Sequence, residues 1–469
     1  MTKIYKYFIP FVLIALFLFL RFYNLKDSFF FFNDMGRDMS VLQTWNISGK
    51  PPLLGPQTSA LPFNQSAIYF YSLYPGYLIS RGNPISLVYT LAFVYILSFI
   101  IGSYLLRKEK NLPKILFIVF FLISIHPQYI TQGRYVWNPS FVSPFIISAI
   151  ISFYLLIKKF FWPTLWLFSA SIATAISFSY SVTPLLIAII IYWLIFNRQK
   201  FFHFFITLFT SLIALNIPTI FFELRHQFLL TTSIFSKQSP VQNFLSFNEK
   251  ITNLSTYIFS TPHQQLNIFL LTSFFILCLY LIYRNYKKTN SLQFISAFLF
   301  LTLIILTLLT PVTVQAHYIF AFTCLIFILI ATFKNIYIYS LLFFFSIIYL
   351  QPLPLNSYFK DASRTYSQMQ TCYKNYCQTH PDPTFVSVQS NFHPFHNGPE
   401  HRYLLRNALC NVKEIETENG QAKYMSVILD NGTFDEKTNY YELELFGIYK
   451  DIETFDCLPN FKIKVLEKI

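Results

Sequence analysis

Acidic residues are scarce in the sequence before residue 350. Of the 21 Asp and Glu in this chain of 469 residues, six lie in that part and 15 follow it. The six are Asp27, Asp34, Asp38, Glu109, Glu223 and Glu249. All charged residues together make up only 12% of the sequence, whereas 54% is hydrophobic and 20% is aromatic. This composition excludes a single soluble core and predicts a protein that crosses a membrane many times.

Several common ligand-binding motifs are also missing. The sequence has no GxGxxG and no GxxxxGK[ST] loop, which fits a substrate that carries no nucleotide. No CxxC pair or Cys/His cluster has metal-binding spacing, which argues against a structural zinc site. The net charge of +14 comes mainly from short basic clusters between apolar runs. Such clusters are typical of membrane topology signals, so we expect no nucleic-acid partner.

Apolar runs near the ~20 residues that span a bilayer recur along the chain. They lie at roughly residues 7–22, 85–106, 114–130, 139–157, 161–179, 182–197, 201–222, 267–283, 291–310, 317–333 and 336–350. Pro163 and Pro184 interrupt the pair between 161 and 197, which is therefore the least secure. The pattern predicts about eleven transmembrane helices, the first of them a retained anchor rather than a cleaved signal peptide.

Basic residues cluster at alternate short connections, which the positive-inside rule places in the cytoplasm. They are Arg107, Lys108, Lys110 and Lys114, then Lys158 and Lys159, Arg198 and Lys200, Arg284, Lys287 and Lys288, and finally Lys334. We therefore expect a plasma-membrane protein with a cytoplasmic amino end. The loop at 24–84, with helices near 35–45 and 67–78 at the membrane surface, and the whole tail from 351 then lie outside.

The tail has a different composition, with 12 Lys and Arg against 15 Asp and Glu. Its amphipathic segments predict helices at 357–377 and 399–409 and strands at 384–389, 424–430, 441–448 and 461–466. We thus divide the chain into a transmembrane domain at 1–350 and a soluble extracytoplasmic α/β domain at 351–469. Four of the six cysteines lie in this tail, and an oxidising compartment would allow at least one disulfide, although reduced thiols remain an alternative.

Three of the six early acidic residues lie in the first outer loop, which makes this loop the first place to look for chemistry. If a helix begins near Asn33, then Asp34, Arg37 and Asp38 share roughly one face. Two like charges one turn apart are mildly unfavourable unless they have a function or a partner. The alternative is structural: Asp34 caps the helix and Asp38 pairs with Arg37.

Other polar residues follow apolar runs on the same predicted side. Glu223, Arg225 and His226 end one run, where they are either functional or an ordinary interfacial charge cluster. Arg134 lies among interfacial aromatics, and His317 with Tyr318 opens a further span. A single His in such a place is more often structural than catalytic.

Together these segments resemble the GT-C class of polytopic glycosyltransferases, in particular bacterial relatives of protein O-mannosyltransferases and of aminoarabinose and lipopolysaccharide-core sugar transferases. The resemblance covers nearly the whole chain. It depends on Asn33-Asp34-Met35-Gly36-Arg37-Asp38, Leu54-Gly55-Pro56, Tyr69-Phe70-Tyr71, Gly133-Arg134, Trp137-Asn138-Pro139, Phe222-Glu223-Leu224-Arg225-His226, His396-Asn397 and Glu400-His401-Arg402-Tyr403. Two departures concern sugar or donor identity: Gln65-Ser66-Ala67 replaces a frequent His-Gly-Pro, and Ser179-Tyr180-Ser181 stands where a His is often found.

The resemblance implies a hexosyl- or pentosyltransferase that takes its sugar from a polyprenyl phosphate and gives it to a lipid, glycan or protein acceptor of the cell envelope. Asp34 would be the general base of an inverting reaction, and Asp38 would be the second catalytic residue. Because the leaving phosphate needs cationic stabilisation, Arg134 and Arg225 would bind it. Arg37, Glu223, His226, His317 and Tyr318 would support the site. No cofactor is expected. Asp34 and Asp38 do not form an Asp-x-Asp pair, so the sequence neither supports nor excludes a bound divalent cation.

The main alternative is a transporter or flippase of lipid-linked sugars, which would also be polytopic and basic on its inner side. Such proteins usually keep functional polar residues near the membrane midplane, often in repeated halves, and this sequence shows neither. A surface receptor with the tail as its binding module is a third hypothesis. It leaves the acidic residues of the first loop unexplained.

Overall fold

A computed structural model describes most of the chain and divides it into two compact units. The described residues are 3–58, 64–198, 200–235, 246–310, 314–350, 359–392, 398–418, 420–434 and 441–469. The first unit contains Met1–Tyr23, Pro51–Gly76 and Leu87–Phe359. The second contains Asn24–Lys50, Tyr77–Ser86 and Lys360–Ile469. Asn24–Lys50, the part of the first loop that we call the acidic loop, therefore belongs to the same unit as the tail.

Helices dominate the chain before residue 350, and every predicted apolar run contains one. In chain order they are α1 (Lys3–Phe22), α2 (Leu25–Ser28), α3 (Asp34–Ser48), α4 (Ile68–Ile79), α5 (Ser86–Leu105), α6 (Leu112–Ile125), α7 (Pro127–Arg134), α8 (Val142–Lys158), α9 (Trp162–Phe178), α10 (Thr183–Phe196), α11 (Phe201–Leu215), α12 (Ile217–Arg225), α13 (Leu229–Phe235), α14 (Phe247–Phe259), α15 (Gln264–Arg284), α16 (Leu292–Leu309), α17 (Phe320–Ala331) and α18 (Asn335–Tyr349). A small antiparallel hairpin, β1 (Leu54–Gln57) with β2 (Asn64–Ser66), lies between α3 and α4 in sequence.

Four helical segments are long and apolar enough to cross a membrane: Ser86–Lys108, Asn138–Lys158, Gln264–Arg284 and Leu292–Leu309. The number rises to six if the bent pairs α6 with α7 and α11 with α12 each count as one span. Shorter apolar helices occupy the other predicted runs. The predicted count of about eleven spans stays a prediction.

The prolines explain where the apolar helices break. Pro163 and Pro184 do not interrupt their helices, because each lies in the first turn, where the missing N–H has no intrahelical acceptor. Pro127 and Pro218 instead begin a new helix after bends of 67° and 66°. A bend of this kind frees carbonyl groups of the preceding helix, which then need other donors.

The buried Arg21 side chain supplies such donors at the first bend. Its guanidinium lies 2.6 Å from the Ser124 carbonyl and 3.0 Å from the Ile123 carbonyl, both in the last turn of α6. It also stacks over Phe17, 4.0 Å from the ring centroid. Arg21 thus caps the broken helix with a positive charge at its negative end.

The second unit contains a four-stranded mixed sheet with helices against it. Its tail elements are β3 (Thr384–Ser390), β4 (Tyr424–Asp430), β5 (Tyr449–Leu458), β6 (Phe461–Lys468), α19 (Tyr366–Thr379), α20 (Pro399–Asn407) and α21 (Tyr441–Phe446). The strand order is β3-β4-β6-β5. β3 and β4 are parallel, and the other neighbours are antiparallel.

Most tail predictions are confirmed, and two are wrong. The helix predicted from 357 begins only at Tyr366, where Thr365 and Gln368 form a capping box, and its predicted first residues lie outside the described ranges. The segment 441–448 was predicted as a strand because its apolar residues alternate, but residues 441–446 are helical. Its buried residues, Leu443 and Phe446, are three apart, which is a helical spacing.

Two disulfides join separate parts of the tail. Cys372 in α19 pairs with Cys457 in β5, and Cys377 in α19 pairs with Cys410, which follows α20. Closing chain segments of 85 and 33 residues restricts the unfolded tail and so stabilises the folded one. Cys278 and Cys324 are buried and unpaired.

Thiol counting tests these pairings. We expect an alkylating reagent in denaturing detergent to label two cysteines without reductant, Cys278 and Cys324, and all six after reduction, with mass spectrometry identifying the sites. Six labelled cysteines in unreduced protein would contradict the structure.

Candidate active site

The acidic turn that begins α3 brings Asp34, Arg37 and Asp38 together as the sequence predicted. Arg37 Nη1 lies 2.5 Å from Asp34 Oδ1, while Nη2 and Nε lie 2.7 and 2.9 Å from Asp38 Oδ1. One guanidinium therefore compensates both carboxylates, which removes the expected repulsion between them.

The two carboxylates differ in access. The Asp38 side chain is completely buried, whereas that of Asp34 is 21% exposed. Within the part of the chain that the structure describes, Asp34 Oδ2 accepts no hydrogen bond. Asp34 thus has an accessible oxygen that can take a proton, and Asp38 is placed to orient Arg37.

The residue before the turn has an unusual backbone. Asn33 has φ 41° and ψ −107°, and its side chain makes no cap hydrogen bond to the start of α3. A non-glycine residue rarely adopts positive φ without support from its surroundings. Support comes from the tail, because the Asn33 N–H donates to Glu400 Oε2 at 3.2 Å.

Gly36 allows the acidic turn to lie directly on α20. A Cβ added at this position would lie 2.2 Å from the Glu400 nitrogen, 2.4 Å from its Cα and 2.7 Å from its Cβ. These distances are far below van der Waals contact, so only glycine fits. The first turn of α3 therefore rests on the backbone of Glu400.

A buried ion cluster lies at this contact, and Arg364 is its cation. Its guanidinium is 2.7 Å from Asp430 Oδ2 and 3.5 Å from Glu400 Oε1, and it also donates to the Phe31 carbonyl at 3.0 Å. Both carboxylates and the guanidinium are almost completely buried. Removing charges from water is costly, so such a cluster persists only when each charge is paired.

His401 and Tyr373 complete the cluster through Asp430. Burial and the nearby Asp430 carboxylate raise the pKa of Tyr373 well above its usual range. Its hydroxyl therefore stays protonated and donates to His401 Nδ1 at 2.6 Å, and Nε2 then donates to Asp430 at 3.2 Å.

The net effect on Asp430 favours the ionised form. Burial alone would raise its pKa, but the hydrogen bond from His401 and the charge and hydrogen bonds of Arg364 hold the pKa below the usual 3.8. Asp430 then contributes stability above its usual pKa, and this contribution is lost as the pH falls through the lower folded value.

Glu400, His401 and Asp430 form the one group of possible metal ligands among the described residues. Their ligand atoms lie within 4.8 Å of one another. The Arg364 guanidinium, however, already supplies the positive charge beside both carboxylates. The arrangement is that of an internal ion cluster.

The two predicted phosphate-binding arginines, both in the first unit, differ in availability. Arg134 is buried, and its Nη1 donates to the Arg21 and Tyr23 carbonyls at 2.9 and 3.0 Å, which caps the end of α1. Arg225 ends α12 and is exposed. Among the described residues its side chain has no hydrogen bond or ion pair.

The remaining predicted residues have structural contacts of their own. Glu223 accepts hydrogen bonds from the Leu230 and Thr231 amides at 2.8 and 2.9 Å, so it caps the start of α13. His226 stacks on Phe222 with a centroid distance of 4.1 Å. His317 is buried, and its ring centroid lies 4.4 Å from that of Trp137 and 4.1 Å from that of Tyr318.

Sequence reasoning missed the cluster of Arg364, Asp430, His401 and Tyr373. One signal was present, because Asp430 ends the correctly predicted strand β4, and polar groups at the carboxyl ends of parallel strands often meet ligands or partners. Glu400 and His401 belong to one of the segments on which the family resemblance depends, but the sequence predicted no function for them. His396 and Asn397, quoted with them, lie outside the described residues.

Two solved structures share this architecture over nearly the whole chain. ArnT from Cupriavidus metallidurans bound to undecaprenyl phosphate has a TM-score of 0.63 at 9% identity, covering 100% of this chain and 99% of its own. The chain has the ArnT fold. The apo state of the same protein gives a TM-score of 0.61 at 10% identity, with 98% and 97% covered. No protein-family model and no curated protein matches the sequence.

The predicted fold, a polytopic helical membrane protein with a C-terminal sheet domain, is therefore confirmed. The orientation of the termini, the boundary at residue 350 and the roles of the site residues stay predictions.

The buried cluster can be tested by removing its cation. Arg364→Met keeps the side-chain volume but leaves two buried carboxylates without a cation, so we expect a loss of about 3–5 kcal/mol in the free energy of unfolding. The matched control is Arg406→Met, on α20, which breaks a partly exposed ion pair with Glu414 and should cost at most about 1 kcal/mol.

Pulse proteolysis of the detergent-solubilised protein across a urea series measures both values. Equal losses for the two variants would show that Arg364 is not the cation on which the second unit depends.

Proposed function

We propose that the chain is a membrane glycosyltransferase that moves a sugar from a polyprenyl-phosphate donor to an acceptor of the cell envelope. The observation that carries the proposal is the accessible Asp34 carboxylate, whose Oδ1 is bound to Arg37 and whose Oδ2 accepts no hydrogen bond from any described residue. A fold shared with ArnT, whose crystal structure was solved with undecaprenyl phosphate bound, supports the donor class. We further propose that the reaction occurs on the outer face.

The reaction is a single displacement with inversion. The acceptor hydroxyl gives its proton to Asp34 Oδ2 while its oxygen forms a bond to the anomeric carbon of the sugar. The bond between that carbon and the phosphate oxygen breaks, and the lipid phosphate leaves with the electron pair. Because phosphate is a stable anion, it needs a nearby cation rather than a proton donor.

Arg225 is the first candidate for that cation, because its guanidinium is exposed and has no partner among the described residues. Arginine binds phosphate through two parallel hydrogen bonds, which lysine cannot do. Arg134 is the second candidate, although its Nη1 already donates to two carbonyls. Asp38, whose side chain is buried and paired with Arg37, orients the Arg37 guanidinium. Glu223, His226, His317 and Tyr318 stay proposed supporting residues.

Asp34→Asn tests the assignment of the base. The amide keeps the size of the side chain but has almost no basicity, so transfer should fall about 10²- to 10⁴-fold while the protein remains folded. Asp27→Asn, an exposed carboxylate of the same loop, is the control and should keep normal transfer.

The assay uses purified protein in proteoliposomes, a panel of undecaprenyl-phosphate hexoses and pentoses, and envelope lipids and glycans as acceptors. Release of undecaprenyl phosphate and labelled product report transfer, and the melting temperature is measured beside them. Near-normal transfer by a well-folded Asp34→Asn protein would refute the assignment of the base. Sugar-lipid translocation by the wild type without any transfer would instead favour the flippase.

A further inference from the structure

We propose that Glu400 of the tail positions the catalytic base by holding the backbone in front of Asp34. This inference rests on the proposed function and adds a residue to it. Glu400 is completely buried and its partners are protein groups, so it is a positioning residue and not a second base.

The backbone before Asp34 is held at two points. The Asn33 N–H donates to Glu400 Oε2, and the Phe31 carbonyl accepts from Arg364 Nη1. Arg364 and Glu400 are themselves paired at 3.5 Å. One buried ion pair therefore binds both the Asn33 N–H and the Phe31 carbonyl, which lie within three residues of the base.

The positive φ of Asn33 makes these two hydrogen bonds necessary. At φ 41° a side-chain-bearing residue is strained, and the residue would relax if nothing held it. Relaxation at Asn33 would rotate the start of α3 and with it the Asp34 carboxylate. The Glu400 carboxylate also places a negative charge at the amino end of α3, where the helix dipole favours it.

Gly36 allows the first turn of α3 to lie close to the backbone of Glu400. Because a Cβ there would lie 2.2 Å from the Glu400 nitrogen, the first turn of α3 and Glu400 are in direct backbone contact. A displacement of Glu400 would therefore be passed to the turn that carries Asp34, Arg37 and Asp38. Reaction rates are sensitive to such shifts, since about 1 Å of misplacement can cost about 100-fold.

Two substitutions separate positioning from stability. Glu400→Leu removes the acceptor of the Asn33 N–H, whereas Glu400→Gln keeps an acceptor oxygen of the same reach. With the undecaprenyl-phosphate sugar that supports transfer, we expect Glu400→Leu to lower kcat about 10- to 100-fold with little change in donor KM. Glu400→Gln should recover most of kcat, and Glu442→Leu, which removes another ion-paired tail carboxylate, should leave it unchanged.

All rates are compared at a temperature where every variant is folded. Equal kcat for wild type and Glu400→Leu, or equal losses in Glu400→Leu and Glu400→Gln, would overturn the proposal. A fully active Asp34→Asn protein would instead overturn the proposed base, so the two failures are distinguishable.

Hydrogen exchange of the wild-type protein tests the hydrogen bond between the Asn33 N–H and Glu400 without any variant. We expect the Asn33 amide to exchange about as slowly as the amides of β4, although Asn33 precedes a helix and lies in a loop. An Asn33 amide that exchanges at the rate of an unprotected amide would overturn the proposal even if Glu400→Leu did not fold.

Discussion

The buried pairing of Arg364 with Asp430 and Glu400 is the interaction on which the second unit depends. It joins three stretches that are far apart in sequence: the first loop through Phe31, the end of β4 and the start of α20. A buried ion cluster is not strongly stabilising compared with an apolar core of equal volume. The cluster instead favours one arrangement of the chain over others, because any arrangement that separates these charges leaves them buried and unpaired.

This constraint explains why the acidic loop belongs to the same compact unit as the tail. A separate tail domain would be expected to fold by itself. Here its charged core requires a carbonyl from the first loop, and the start of α3 requires the Glu400 carboxylate. The proposed chemistry therefore depends on residues more than 300 positions apart, and the tail acts as the support of the acidic turn.

Local sequence signals predicted most elements of the fold. Apolar runs located the helices, alternating apolar residues located β3, β4 and β6, and the carboxylates of 34 and 38 marked the acidic turn. β5 was missed because Lys450, Asp451 and Glu453 interrupt its pattern, which is tolerated at the edge of a sheet. The segment 441–446 shows the converse error, since alternation also fits a short helix with two buried residues.

The ion cluster could not be predicted because its pairing is entirely long-range. No sequence pattern near Arg364 predicts Asp430 or Glu400 as its partners, and no helical or strand periodicity links the three residues. The strain at Asn33 is hidden in the same way, since an Asn before a helix normally predicts a side-chain cap. The role of Gly36 also appears only when α20 is placed against it.

The stereochemistry of transfer tests the central claim most directly. In the acidic turn one carboxylate is accessible and the other is buried, which supports direct displacement, because a retaining enzyme needs a nucleophilic carboxylate and a second group that acts as both acid and base. NMR of the anomeric proton in the product, compared with that of the undecaprenyl-phosphate donor, should show the inverted configuration. A product that retains the donor configuration would contradict Asp34 as a general base and point to a covalent intermediate.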